Sequence, residues 1–208
     1  MTLNEIVFEL AEKTFTNYTH SMNTASYSVI FGLMAGFDDS EILALGGLLH
    51  DIGLSELSIK TVGVDQKSFS SCEWEEYKSH PIKAIDILNR KSIPLSELVK
   101  EMILQHHENP DGSGYPYGLE KDAISPYAKI LSLADYFDEQ TSSRPNEELF
   151  APIDVFNKLL QQKEVPAFYD HEFHGNLIKT LITNELPSDE AESSGAYSHE
   201  GMLKKIPA

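Results

Sequence analysis

Apolar residues along this chain recur at intervals of three and four, the spacing of one helical face, and no stretch reads as a strand. Residues 3 to 15 place Ile6, Leu10, Ala11 and Phe15 on one such face, which predicts a first amphipathic helix. A second, beginning near Asn17 or Thr19, carries Ala25, Val29, Ile30, Leu33 and Met34 as its apolar stripe, with His20 in its first turn. Asp38, Asp39 and Ser40 are good N-cap residues for a third helix, EILALGGLLHDIG. That helix is apolar nearly all round, so the pattern predicts it as the buried centre of a bundle. His50 and Asp51 close it, just before Gly53.

Residues 54 to 71 show no period. Ser70-x-x-Glu73 then resembles a capping box opening a short helix through Trp74 and Tyr77. Pro81 suits the first position of the next helix, IKAIDILNR, and LSELVKEMILQHH is a further amphipathic helix ending in His106 and His107. A loop holding Gly112, Gly114 and Gly118, broken by Pro110 and Pro116, follows it. Pro126 opens the helix that carries Asp135 and Asp138, and DVFNKLLQQ and HGNLIKTLITNEL supply two closing helices. The expected fold class is all-α, a bundle of about seven helices, and the imidazoles and carboxylates gathered among its helices suit a metal site in its core. One domain is expected over residues 1–186. The apolar-poor residues 187–208 read as a disordered acidic tail.

Composition narrows the function. At 208 residues the chain can bury a sizeable core, and a net charge of −17 argues against nucleic-acid polymers and anionic membrane surfaces. The same charge repels an anionic nucleotide unless metal ions reverse the local sign. Arg90 and Arg144 are the only arginines, so a bidentate phosphate clamp has few candidates. The single Cys72 excludes an intramolecular disulfide and fits a reducing cytoplasm, and no apolar run reaches membrane-spanning length.

His50-Asp51 is followed in order by HHE, DGSGYPYGL and ADYFDEQTSSRP. Together these resemble the HD-GYP domain, a branch of the HD metal-dependent phosphohydrolases known for hydrolysing the bacterial messenger cyclic di-GMP. A lone His-Asp pair would carry almost no information; several separated motifs in the family's order do. The resemblance covers roughly residues 15 to 150. It implies metal ligands at His20, His50, Asp51, His80, His106, His107 and Asp135. Any one of these histidines, at a helix end or beside a helix breaker, would ordinarily be a surface or capping residue.

Phosphodiester hydrolysis at neutral pH needs an activated water and neutralised phosphoryl oxygens, which two ions roughly 3.5–4 Å apart supply. The expected partition gives His20, His50, Asp51 and Asp135 to one ion and His80, His106 and His107 to the other, with Asp51 bridging. Imidazole with carboxylate favours a transition metal over magnesium, and the resemblance favours iron or manganese. Some members hold a third ion through a glutamate four residues before the first histidine. That position is Thr16 here, so two ions are expected. By resemblance Tyr115 hydrogen-bonds near the scissile phosphate, Asp138 orients a ligand or contacts substrate, and Arg144 binds a phosphate.

Two departures bear on activity. Where the family continues as HDxGK, this chain has Leu54, and where RPY precedes a cation it has Asn146 and Glu147. Loss of two charge-assisted contacts, worth roughly 1.5–3 kcal/mol each, weakens anion binding. The leading expectation is a metal-dependent cyclic di-GMP phosphodiesterase, attenuated at the phosphate contacts. The alternatives are a cyclic-dinucleotide sensing module, one that docks a diguanylate cyclase or other signalling protein through the Gly112–Pro116 loop, or a phosphohydrolase for another nucleotide. His171, His174 and His199 have no counterpart in the pattern and are expected to be bystanders.

Overall fold

A computed structural model describes residues 15–58, 68–142, 149–161 and 166–183, with side chains from residue 18 onward. The expected first helix falls outside these residues except for its end, as do the tail, His199, Arg144, Asn146, Glu147 and the side chain of Thr16. The described residues form eight α-helices: α1 Phe15–Met34, α2 Ser40–Leu49, α3 Ser71–Tyr77, α4 His80–Arg90, α5 Glu97–Gln105, α6 Pro126–Thr141, α7 Pro152–Leu160 and α8 Phe173–Thr183. Short 3-10 turns follow α2 at Ile52–Glu56 and precede α6 at Lys121–Ala123. The all-α class holds.

The local signals account for four of the helix starts. Ser70 and Glu73 form the reciprocal capping box at the start of α3, with the Glu73 carboxylate accepting from the Ser70 N–H at 2.8 Å. Ser96 caps α5 by accepting from the Val99 N–H. Pro81 and Pro126 sit in the first turns of α4 and α6, where a missing N–H costs nothing. Asp39 departs from expectation. It is the residue before α2 but makes no side-chain cap, because its carboxylate accepts from the Tyr127 hydroxyl at 2.6 Å.

The apolar stripe expected for α1 holds at Ala25, Val29 and Met34 and is corrected at two positions. Ile30 and Leu33 are each 49% exposed, whereas Ser21, Thr24, Ala25, Ser28 and Phe31 are buried. The reason is how closely α1 lies on α2. A Cβ added at Gly47 would meet the Ala25 Cα at 2.5 Å, so only small side chains fit along that seam. Behind it Phe31, Leu43, Met102, Leu131, Leu133 and Phe137 form the larger apolar core. A second cluster, with Leu49, Ile52, Leu88, Val99 and Ile103, joins α2, α4 and α5.

His174, expected to be a bystander to the site, has a structural role. It is buried and fastens α8 to α6, its Nε2 donating to the Lys129 carbonyl at 2.8 Å while its Nδ1 accepts from the Asp170 N–H at 2.9 Å. Lys129 closes the group by an ion pair with Asp170 at 2.7 Å. Both ring nitrogens are thus used by the neutral imidazole, and burial lowers the His174 pKa to about 4. A folded pKa below the unfolded value of roughly 6.5 means that the unfolded chain takes up the proton first. The stabilisation is complete above that value and is lost as pH falls towards 4, on the order of 3 kcal/mol in all. In chelator-treated protein His174→Gln should therefore flatten the fall in stability between pH 6.5 and 4 by about one proton's worth of slope. Denaturant titrations across that range read the slope, and an unchanged slope would show that His174 is not the acid-sensitive group.

Candidate metal centre

Three helix ends meet at one point. The rings of His50, His80 and His106 each turn back on their own chain: Nδ1 donates to the carbonyl three residues earlier, of Gly47 at 2.7 Å, Tyr77 at 2.8 Å and Ile103 at 2.7 Å. A last-turn histidine reaches a free carbonyl only because helix ends leave such groups unpaired. With the proton held at Nδ1, the Nε2 lone pair of all three rings faces inward.

Asp51 stands between two groups. Its Oδ1 lies 3.3 Å from His80 Nε2 and 4.0 Å from His106 Nε2, while Oδ2 lies 3.5 Å from His50 Nε2 and 3.8 Å from His20 Nε2. Asp135 from α6 completes the second group, with Oδ1 2.9 Å from His20 Nε2 and 3.7 Å from His50 Nε2. Potential ligand atoms of Asp51, His80, His106 and His107 lie within 4.8 Å of one another, and those of His20, His50 and Asp135 likewise. All seven residues expected from the sequence are brought together.

The donors fit metal ions. His50 Nε2 is buried with no hydrogen-bond partner, an orphan that ordinarily costs stability. His80 Nε2 and His106 Nε2 face each other at 3.3 Å, and two lone pairs at that distance repel unless a cation lies between them. The charge states of His106, His107, Asp51 and Asp135 agree with this, whereas the neighbouring carboxylates raise His20 and His50 against the pull of burial. Burial holds His106 well below the usual histidine range and His107 at about 3, so both are neutral donors at pH 7. Burial would raise Asp51 and Asp135, but the surrounding histidines outweigh it and hold both carboxyls ionised. For His20 burial is likewise outweighed, by hydrogen bonds to Asp135 and Asp138, and its pKa rises.

Asp138 lies behind this ring of donors. It is 1% exposed and accepts from His20 Nδ1 at 2.6 Å, from Asn23 at 2.8 Å and from the Ser142 hydroxyl. Its carboxylate is thus engaged by three donors, one of them the ring of the candidate ligand His20. Asn23 was not singled out from the sequence, although its position three residues after His20 puts it on the same helical face. Glu108, the last residue of HHE, was quoted without a role. It is buried, and its two carboxylate oxygens accept the N–H groups of Tyr117 at 2.7 Å and Leu119 at 2.8 Å, which pins the glycine loop.

That loop lays the Tyr115 ring on His107, 4.7 Å between centroids and 29° from parallel. Burial, with Tyr77 and the Asp51 and Asp135 charges adding to it, raises the Tyr115 pKa well above the phenol range, so its hydroxyl keeps its proton. Leu54 is half-buried in the 3-10 turn three residues after Asp51. Arg90 is engaged elsewhere, in an exposed ion pair with Glu56.

Residues 7–172 match the model of the HD domain family. The chain belongs to that family. Among curated HD relatives, a 3'3'-cGAMP-specific phosphodiesterase of Vibrio cholerae is 28% identical over 87% of this chain and 34% of its own length. A cyclic di-GMP phosphodiesterase of Thermotoga maritima is 35% identical over 73% of this chain and 42% of its own. The chain thus spans about a third to two-fifths of these relatives. Among solved structures, an HDG"Y"P protein from Bdellovibrio bacteriovorus superposes with a TM-score of 0.59 at 23% identity, over 78% of this chain and 51% of that one. The likeness shows a shared fold, and the resemblance read from the motifs stands. No helix among the described residues is long and apolar enough to cross a membrane.

Proposed function

We propose that this HD domain hydrolyses a phosphodiester bond of cyclic di-GMP or a related cyclic purine dinucleotide, using two transition-metal ions, iron or manganese. One observation carries the reading: the two oxygens of Asp51 face two different groups of histidines. Relatives whose names specify cyclic di-GMP and 3'3'-cGAMP support the substrate class. His20, His50 and Asp135 would hold one ion and His80, His106 and His107 the other, with Asp51 between. Bound there, the ions would supply an activated water and neutralise charge on the phosphoryl oxygens. Asp138 holds the His20 ring in register from behind. The protonated Tyr115 hydroxyl donates to a phosphate oxygen, and Arg144 is assigned a second phosphate contact by resemblance alone. Soft nitrogen donors mixed with carboxylates favour iron or manganese over magnesium. Metal quantification of protein purified without chelator, beside a cyclic di-GMP hydrolysis assay, tests the proposal. Close to two ions per chain with turnover supports it, and a metal-loaded protein inert on every cyclic dinucleotide overturns it.

The reading of the domain as a binding module that hydrolyses slowly draws on Leu54, which stands where the HD-GYP pattern has a phosphate-binding lysine. Leu54→Lys should raise kcat/KM for cyclic di-GMP by about tenfold or more, equivalent to roughly 1.4 kcal/mol of transition-state stabilisation. Brisk turnover by the parent protein, unimproved by this change, would remove the ground for an impaired clamp.

A further inference from the structure

Trp74 is the single tryptophan of the chain, and 36% of it is exposed. Its indole lies parallel to the Tyr77 ring, at 9° with 5.5 Å between centroids, and edge-on to Tyr115 at 6.4 Å. Tyr77 is buried and lies 5.1 Å from the His80 ring, and Tyr115 stacks on His107. A continuous run of rings therefore leads from two candidate ligands to a partly exposed indole, which also meets the Phe69 ring at 6.5 Å. The orientation of that indole is set in advance. Tyr77 supports it from one side, and the capping box of Ser70 and Glu73 anchors the first turn of α3. A large flat side chain held in place beside the proposed metal centre is what a nucleobase needs, because every base offers a π-face. Such a surface also binds without charge, which matters in a chain of net charge −17.

We infer that Trp74 is the platform on which one base of the substrate stacks while a phosphate lies at the centre; the inference rests on the cyclic-dinucleotide reading above. Stacking distinguishes poorly among purines, so Trp74 serves guanine and adenine alike and strengthens binding without taking part in bond cleavage. It is a specificity determinant for nucleotides over base-free phosphodiesters.

The single indole makes the test direct. The full chain is titrated with cyclic di-GMP, GMP and ribose 5-phosphate at equal concentrations, and tryptophan emission is read after correction for absorption by the base. Emission should fall with the two guanine nucleotides and not with ribose 5-phosphate. An equal response to all three, or no response to any, overturns the platform. In kinetics, Trp74→Ala should raise KM for cyclic di-GMP about tenfold or more with kcat within about twofold, and Trp74→Phe should keep most of the parent affinity. Hydrolysis of methyl p-nitrophenyl phosphate, which has no base, should be the same in Trp74→Ala and parent. An unchanged KM, or an equal loss on the base-free ester, assigns Trp74 a structural role and overturns the proposal. Should the chain hydrolyse no cyclic dinucleotide, the enzymatic reading fails by itself, and the emission titration still decides whether Trp74 receives a base.

Discussion

Asp51→Ala should strip most of the transition metal from both halves of the centre and lower kcat/KM on a cyclic dinucleotide on the order of a thousandfold or more. Other members of the cluster face one group only. Asp51 alone directs one oxygen at His80 and His106 and the other at His20 and His50, over distances of 3.3 to 4.0 Å. Its charge also balances the imidazoles around it, which is why its carboxyl is held ionised in spite of burial. Removing it withdraws a shared ligand and leaves the buried nitrogens of His80 and His106 facing one another without a counter-charge, while His20 and His50 keep only Asp135. His107→Ala, at one side of the centre, should by contrast cost one ion more than the other. Metal quantification on the two variants reads the difference. Full metal occupancy in Asp51→Ala would show that the two groups load independently and that Asp51 is not their bridge.

The second large effect is expected at Gly53, which binds nothing. A Cβ there would lie 1.9 Å from the carbonyl oxygen of His80 and 2.7 Å from the backbone nitrogen of Ala84. Both neighbours are backbone of α4, so no side chain can swing aside, and the 3-10 turn Ile52–Glu56 must part from the helix. Asp51 precedes that turn and His80 opens that helix, so the displacement acts on the Asp51–His80 approach of 3.3 Å. Gly53→Ala should cost about 3 kcal/mol, or about 10 °C in Tm for a chain of this size, and reduce metal retention with it. Thermal unfolding with and without added manganese measures both. A variant with parental Tm and metal content would mean that the packing of the turn on α4 is far more yielding than the distances imply.

Much of this centre was legible in the sequence because the HD-GYP motifs occur in the family's order, and the resemblance assigns ligands to them. His50, His106 and Asp135 could be placed from helical spacing, and the HD-GYP motifs then tied them to His20, His80 and Asp51. Residues without chemistry of their own were harder to find. Glu108 acts by holding the backbone of a loop nine and eleven residues on, and Asn23 acts through Asp138, more than a hundred residues away. Neither contact leaves a mark on hydrophobic spacing.

The face that α1 buries shows the same limit. Hydrophobic spacing places Ala25 correctly but also selects Ile30 and Leu33, yet the helix turns Ser21, Thr24 and Ser28 inward, because contact with Gly47 rewards small size above apolarity. By itself the sequence determined the helices, several of their starts and the residue types of the centre, all of which depend on neighbours within a turn or two. Only the tertiary structure decided which faces are buried, which oxygen of Asp51 meets which histidines, and that Trp74 stands partly exposed beside them. Those features depend on distances between segments far apart in the chain, which a one-dimensional pattern does not contain.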